Sequence, residues 1–120
     1  MGSAVVIEDD DDIRRLLEIV LEQSGFTVAS ATTGESGVEL VASTEAEIVT
    51  VDVGLPDLDG IEVVRRVRPL HRGPIVVISA RSSTGDRARA TAAGADAYLT
   101  KPFRPRELRA ALEEILAGAG

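Results

Sequence analysis

The sequence predicts a doubly wound α/β domain, (βα)5, with a five-stranded parallel sheet in the order 2-1-3-4-5. Two observations carry this. Short apolar runs of strand length alternate five times with longer segments of helical period. The runs are also continuous rather than alternating: Pro74–Ser79 (PIVVIS) has no polar residue before its last position, as a parallel strand buried on both faces requires.

The elements follow in order. Ala4–Glu8 reads as a buried strand. Asp11 or Asp12 caps the next helix, whose Ile13, Leu16, Leu17 and Val20 keep the i, i+3, i+4, i+7 spacing, and Gly25 ends it. Phe26–Ala31 is a second strand, and Thr33–Ser43 a helix with Val38 and Val41 inward. Glu47–Asp52 is a third strand, GLPDLDG a loop, and Ile61–Arg68 a helix with Val64 and Val67 inward. After the fourth strand, Pro74–Ser79, Ser83–Ala93 is a helix closed by Gly94. Asp96–Thr100 is the fifth strand and Arg104–Ala117 the last helix. In such sheets ligands bind beyond the carboxyl ends of the strands. Glu8-Asp9, Asp52, Ser79-Ala80 and Thr100-Lys101-Pro102 stand at the ends of strands one, three, four and five. Those four strands are therefore expected to be neighbours, with strand two outside strand one.

At 120 residues the chain has the length of one domain, taken as 1–120. Aromatics are only 2% of it, so the core is aliphatic. With no cysteine, disulfides, thiolate metal sites and cysteine nucleophiles are excluded. No apolar run reaches the length of a membrane span, and the first residues lack the basic-then-apolar pattern of a signal peptide, so a cytoplasmic protein is expected. The net charge of −7 is split unevenly. Residues 1–60 hold 14 acids and 2 bases, and residues 61–120 hold 6 acids and 11 bases. The acidic half argues against direct nucleic-acid binding and for a bound cation, while the basic half reads as a solvated face. Twelve of the 13 basic residues are arginine, and the single lysine is Lys101.

Glu8, Asp9 and Asp52 bring three carboxylates to one pocket, where they repel unless neutralised. Mg²⁺ suits such a site, with oxygen ligands from Glu8, Asp9, Asp52 and the backbone carbonyl of Gly54. Lys101 adds a positive charge on a flexible stem, and Ser79 a hydroxyl donor. Carboxylate, Mg²⁺, lysine and hydroxyl are the parts needed to transfer a phosphoryl group to a carboxylate, a reaction that is mostly positioning and charge neutralisation.

These residues carry a family resemblance. VVIEDDDDIRRLL, IVTVDVGLPDLDG, PIVVISA, and GADAYLTKPF followed by ELRAAL, in this order across residues 4–117, resemble the receiver domain of a bacterial two-component response regulator, of the chemotaxis-receiver type with a flavodoxin-like fold. The resemblance implies that Asp52 is the phosphoacceptor, taking the group from a phosphohistidine of a sensor histidine kinase or a histidine phosphotransfer protein. It implies that Glu8 and Asp9 hold Mg²⁺, that Lys101 pairs with Asp52 and then with the phosphoryl group, and that Ser79 and Tyr98 shift as the switch. It also implies a cis Lys101–Pro102 peptide. The chain would not be a conventional enzyme but would catalyse its own phosphorylation and slow dephosphorylation. Related regulators pair or meet their targets through the face of helix four, strand five and helix five. Arg87 and Glu107 match one cross-subunit pair of a phosphorylation-dependent homodimer, whereas Ala97 and Ala111 stand where a second pair is usual.

Plainer readings apply to the other residues. Asp10, Asp11 and Asp12 serve the helix start. Asp57 is a loop residue, Asp59 caps the next helix, and Glu62 is solvated. His71, the only histidine, is expected to be exposed in RPLHRGP and to have no phosphotransfer role. Taken alone, Ser79 reads as a strand-end hydroxyl bonded to backbone, and Tyr98 as a half-buried strand residue. Two other functions compete. A small Mg²⁺-dependent aspartyl-phosphate phosphatase usually has a second acid two residues after its nucleophile, where this chain has Gly54. A phosphorylation-independent pseudo-receiver would not need Glu8, Asp9, Asp52, Ser79 and Lys101 together. No glycine-rich phosphate loop follows the first strand, which leaves a nucleotide-binding role weaker still. The chain is expected to be either a free-standing receiver or a piece of a longer regulator.

Overall fold

The order of elements in the computed structural model, which describes residues 2–81 and 83–119, alternates strand and helix throughout. The chain runs β1 (Ser3–Ile7), α1 (Asp11–Gln23), β2 (Thr27–Ala31), α2 (Gly34–Ser43), β3 (Ala46–Asp52) and α3 (Gly60–Val67). A 3-10 turn (Arg68–Leu70) follows, then β4 (Ile75–Ser79), α4 (Thr84–Ala93), β5 (Ala97–Thr100) and α5 (Pro105–Ala119). The five strands are parallel in the order β2-β1-β3-β4-β5. No helix among the described residues is long and apolar enough to cross a membrane.

Successive side chains of a strand point to opposite faces, and here both faces are covered. Val5, Ile7, Val49, Val51, Ile75 and Val77 pack with Val41, Val63, Val64 and Val67 on the α2–α3 side. Ala4, Val6, Ile48, Val76 and Ile78 pack with Leu17, Val20, Leu21, Leu108 and Leu112 of α1 and α5. This is why the central strands carry no alternation of apolar and polar residues. Each buried Val, Leu or Ile stabilises the fold by about 1.5–3 kcal/mol relative to leaving it in water.

One core position breaks the pattern. Thr50 in β3 is buried, and its Oγ1 has no hydrogen-bond partner among the described residues. A hydroxyl taken out of water without compensation is destabilising, and valine has nearly the same shape. Thr50→Val is expected to raise the unfolding free energy by about 1 kcal/mol. Urea titration checks this, and a destabilised variant would show that the hydroxyl has a partner in solution.

The element ends differ from the expected ones by a residue or two, and three local readings are corrected. The cap of α1 is Asp10, whose side chain accepts a hydrogen bond from the Ile13 N–H at 3.0 Å. Asp11 and Asp12 form the first turn, where their charge favours the positive end of the helix dipole. Asp57 is more than a loop residue. Its carboxylate accepts from the N–H groups of Gly34 (2.7 Å), Glu35 (2.9 Å) and Leu58 (3.0 Å), and these bonds hold its pKa below the ordinary carboxylate value. Asp59 does cap α3, accepting from Ile61 N–H at 3.0 Å. Glu62 pairs with Arg65 and Arg66 on the outer face of α3.

His71 is not exposed but 6% accessible. The 3-10 turn folds the loop back, and Arg68 gathers the carbonyls of His71 and Gly73, which tucks the ring inward. Its Nε2 lies 3.2 Å from the Pro74 carbonyl, an acceptor, so Nε2 carries the proton. Burial, with a smaller push from the Arg68 charge, lowers the imidazole pKa. The unfolded chain therefore binds a proton more readily than the fold does. Stability from this residue is present above about pH 6.5 and is lost as the pH falls through the lower folded value. Between about pH 7.5 and pH 5.5, wild type is expected to lose more stability than His71→Gln. Equal losses in urea titrations would show that the ring titrates normally.

Candidate functional site

Every strand of the sheet's centre ends at the same edge, and the residues following each strand meet there. β1 ends at Ile7, so Glu8 and Asp9 emerge from it, and Asp52 closes β3. Ser79 closes β4 and is paired in register with Thr100, after which comes Lys101. One carboxylate oxygen each from Glu8, Asp9 and Asp52 lies within 4.8 Å of the others, and among the described residues these three form the group able to hold a metal. Lys101 Nζ donates to Asp52 Oδ1 at 3.1 Å and stands 3.3 Å from Glu8 Oε1. The Lys101–Pro102 peptide is cis.

The electrostatics of this group are unbalanced. Three carboxylates against one ammonium leave two negative charges when all are ionised. Burial and the facing charge of Asp52 push the Glu8 pKa up to about 7. Loss of water and the neighbouring Asp52 carboxylate also raise Asp9. Burial lowers Lys101, but the hydrogen bond to Asp52 and the charge of Glu8 outweigh it, and its pKa ends above the ordinary lysine value. Glu8 is 1% accessible. Its Oε2 accepts from Asp10 N–H at 3.2 Å, while Oε1 makes no hydrogen bond among the described residues. Among the described residues the only cationic group facing this buried oxygen is the Lys101 ammonium at 3.3 Å, one cation for three carboxylates, and such a site fits a further hard divalent cation. Ligand oxygens at metal bonds of about 2.1 Å lie about 3 to 4 Å apart, a separation compatible with three oxygens that already lie within 4.8 Å of one another.

Above these groups is a cleft of about 470 Å³, lined by Asp9, Asp52, Gly54, Asp59, Ser79, Arg81 and Lys101 among others. A hollow of about 600 Å³ beside Leu70 and His71 is larger but lacks such a cluster. Gly54 is exposed at the cleft, and a side chain there would only touch Asp52 Oδ2, at 3.7 Å. Glycine here therefore adds no side chain over the Asp52 carboxylate, which is itself only 6% accessible. Ser79 is buried, and its Oγ accepts from Arg81 N–H at 3.0 Å, which leaves its own hydrogen free to donate. Tyr98 lies in β5 beyond the cleft. Its hydroxyl donates to the Arg81 carbonyl at 2.6 Å, and the Arg87 guanidinium lies over its ring, 4.8 Å from the centroid. Ser79 and Tyr98 are thus joined through the backbone of one residue, Arg81. Sequence pattern did not point to this link, because it runs through main-chain atoms of an exposed loop.

Arg87 also donates to Thr100 Oγ1 at 3.0 Å and to the Tyr98 carbonyl at 3.4 Å. Glu107 accepts from Arg104 N–H within its own helix start. Both are occupied inside the chain. His71 sits at the opposite end of the sheet, by the start of β4, far from this chemistry.

Comparison with known proteins gives a consistent picture. The family model for the response regulator receiver domain matches residues 4–113. The KDP operon transcriptional regulatory protein KdpE of Escherichia coli K12 is 41% identical over 116 residues, covering 97% of this chain and 52% of that protein. The chain therefore spans about half the length of the curated relatives it matches. Among solved structures, a CheY-like receiver domain from Methanospirillum hungatei JF-1 superposes with a TM-score of 0.91 at 26% identity, covering 99% of this chain and 96% of that one. The receiver domain of sensor histidine kinase PA1611 from Pseudomonas aeruginosa has a TM-score of 0.84 at 28% identity, covering 97% of this chain and 98% of that one. That structure has a magnesium ion coordinated in its active-site cleft.

Proposed function

The chain belongs to the response regulator receiver domain family, and on that footing we propose that Asp52 is its phosphoacceptor. It is the receiver of a two-component response regulator, a class phosphorylated by histidine kinases. We assign residues 1–120 to one receiver domain working in the cytoplasm. The phosphoryl donor is a sensor histidine kinase or a histidine phosphotransfer protein.

One observation carries the assignment. Lys101, 49 residues further along the chain, reaches back to Asp52 at 3.1 Å in the middle of an acidic cluster. In the reaction an Asp52 oxygen attacks phosphorus from the side opposite the imidazole. The phosphorus–nitrogen bond breaks, its electron pair stays on the ring, and a phosphorus–oxygen bond to Asp52 forms. Lys101 then pairs with a phosphoryl oxygen, and the free hydrogen of Ser79 is donated to another. Water later attacks phosphorus and returns the carboxylate and inorganic phosphate. A magnesium ion held by Glu8, Asp9, Asp52 and the Gly54 carbonyl would neutralise phosphoryl oxygens approaching three carboxylates.

Signal output follows from the Arg81 link. Ser79 accepts from Arg81 N–H, and Tyr98 donates to Arg81 O. Turning Ser79 toward the phosphoryl group breaks the first bond and frees Arg81 to move, which loosens the second. The shift then reaches the face of α4, β5 and α5, where an output domain, a target protein or a second copy would dock. No direct nucleic-acid contact is assigned to this domain.

The test is incubation with acetyl phosphate and Mg²⁺, followed by intact mass. A species heavier by about 80 Da, absent in Asp52→Asn, is expected. No such species, with beryllofluoride and Mg²⁺ also leaving the NMR spectrum unchanged, would point to a pseudo-receiver instead. Arg81 gives a finer check. Its side chain lines the cleft while its backbone holds Ser79 and Tyr98, so Arg81→Ala removes the charged side chain and leaves the backbone link. An exposed charge of this kind is worth about 0.5–1 kcal/mol, so the phosphorylated form should hydrolyse about two to five times faster. An unchanged rate removes the side chain from the mechanism.

A further inference from the structure

The segment that carries Gly54 has few hydrogen-bonded supports, although Val53, Leu55 and Leu58 pack against the core. At its start Val53 N–H bonds to the Ile78 carbonyl, and at its end Gly60 N–H bonds to the Val53 carbonyl. Gly54, Leu55 and Pro56 make no hydrogen bond to the rest of the chain among the described residues. The next hydrogen-bonded point is Asp57, and what it holds lies elsewhere in sequence. Its Oδ1 takes the N–H of Gly34 and its Oδ2 the N–H of Glu35, the first two residues of α2. The remaining start of α2 is closed locally. Thr33 Oγ1 accepts from Ser36 N–H, and the Thr33 carbonyl accepts from Gly37 N–H. Asp57 is thus a cap supplied from 22–23 residues away. The approach is close: a Cβ on Gly34 would meet Leu58 Cβ and Val63 Cγ2 at 2.9 Å, so only glycine lets α2 come down onto the loop.

We propose that Asp57 is a positioning residue for the metal, tying the loop that presents the Gly54 carbonyl to the N-terminus of α2 so that this ligand is held ready. The proposal rests on the reading of Glu8, Asp9, Asp52 and Gly54 as the magnesium ligands. A backbone carbonyl has no side-chain rotamer to adjust, so its aim depends wholly on what anchors the loop. Groups outside the ligand shell that orient ligands typically change metal affinity by about 10–100-fold. One ligand of several is affected here, and the low end applies.

The experiment is calorimetric titration of the unphosphorylated full chain with Mg²⁺ alone, beside thermal melts. Asp57→Ala is expected to weaken Mg²⁺ binding about tenfold. Asp57→Asn, which retains one carbonyl oxygen, should lose less. Gly34→Ala should weaken Mg²⁺ binding without touching the carboxylate, because it pushes the helix off the loop. Thr33→Ala is the control: it removes the other cap of the same helix end, which lowers the melting temperature, and should leave Mg²⁺ affinity unchanged. Asp57→Ala with wild-type affinity, or Thr33→Ala weakening binding as much as Asp57→Ala, would overturn the proposal, because Asp57 would then merely stabilise α2. A wild type that takes up no Mg²⁺ would bring down the reading of the site as well.

Discussion

Asp52→Asn is expected to be inert to phosphorylation and yet more stable than the wild type when magnesium is removed. Asn keeps the shape and the oxygen that Lys101 Nζ contacts at 3.1 Å, but it drops one of three clustered negative charges. The Glu8 carboxyl, pushed up to about 7 by burial and by Asp52, then loses the second of those influences. Each pKa unit is worth about 1.4 kcal/mol, and with part of the Lys101 attraction also lost, a gain of about 1–2 kcal/mol in unfolding free energy is expected. The sign can be checked by pH. Glu8 binds its proton more tightly folded than unfolded, where its value is 4.5. The resulting stability is full below about pH 4.5 and is lost as pH rises through about 7. Wild type should therefore lose more stability across that window than the variant. Added magnesium reverses the ranking, since a ligand at 100 times its Kd stabilises by about 2.7 kcal/mol. A variant less stable than wild type in chelator-treated buffer would mean that the three acids are not in conflict.

Arg68→Ala is expected to be the most damaging substitution outside the core. One guanidinium serves four acceptors: the carbonyls of Gly94 (2.9 Å), His71 (2.5 Å) and Gly73 (2.8 Å), and Asp96 Oδ2 (2.9 Å). Asp96 Oδ2 in turn accepts from Ile75 N–H at 2.8 Å. The brace thus ties the end of α3 to the first residue of β4 and to the turn before β5. It stands against Gly94, whose φ of 120° and contact with the Arg68 stem exclude a side chain there. Alanine takes this donor from three carbonyls and leaves Asp96 Oδ2 with the Ile75 N–H alone. The site is partly open, so water replaces some of the bonds, and a loss of about 3 kcal/mol is expected, or about 10 °C in Tm. Arg68→Lys should recover little, because an ammonium cannot fork to four acceptors. A melting point within about 2 °C of wild type would show that solvent satisfies the carbonyls by itself.

The strands and the site were readable for the same reason. Apolar runs buried on two faces end abruptly at Ile7, Val51 and Ile78, and the first polar residues after them, or closing them, are the ones that meet. What escaped reading was set by geometry across the chain. Asp9 to Asp12 are four consecutive aspartates of a type that caps helices, and only the path of the loop selects Asp10. Asp57 finds its donors in another element, so no local pattern marks it. His71 is drawn inward by the carbonyls that Arg68 collects, and its flanking arginines and glycine suggested the opposite. The bond chain from Ser79 to Tyr98 runs through backbone atoms, which carry no signature in the residue alphabet.

Tyr98 is the only tyrosine, and the chain has no tryptophan. Its phenol is bonded to a loop carbonyl and lies beneath a guanidinium, surroundings that alter ultraviolet emission. The domain consequently contains its own optical probe, seated on the element expected to move, and stopped-flow fluorescence can follow activation without any attached dye.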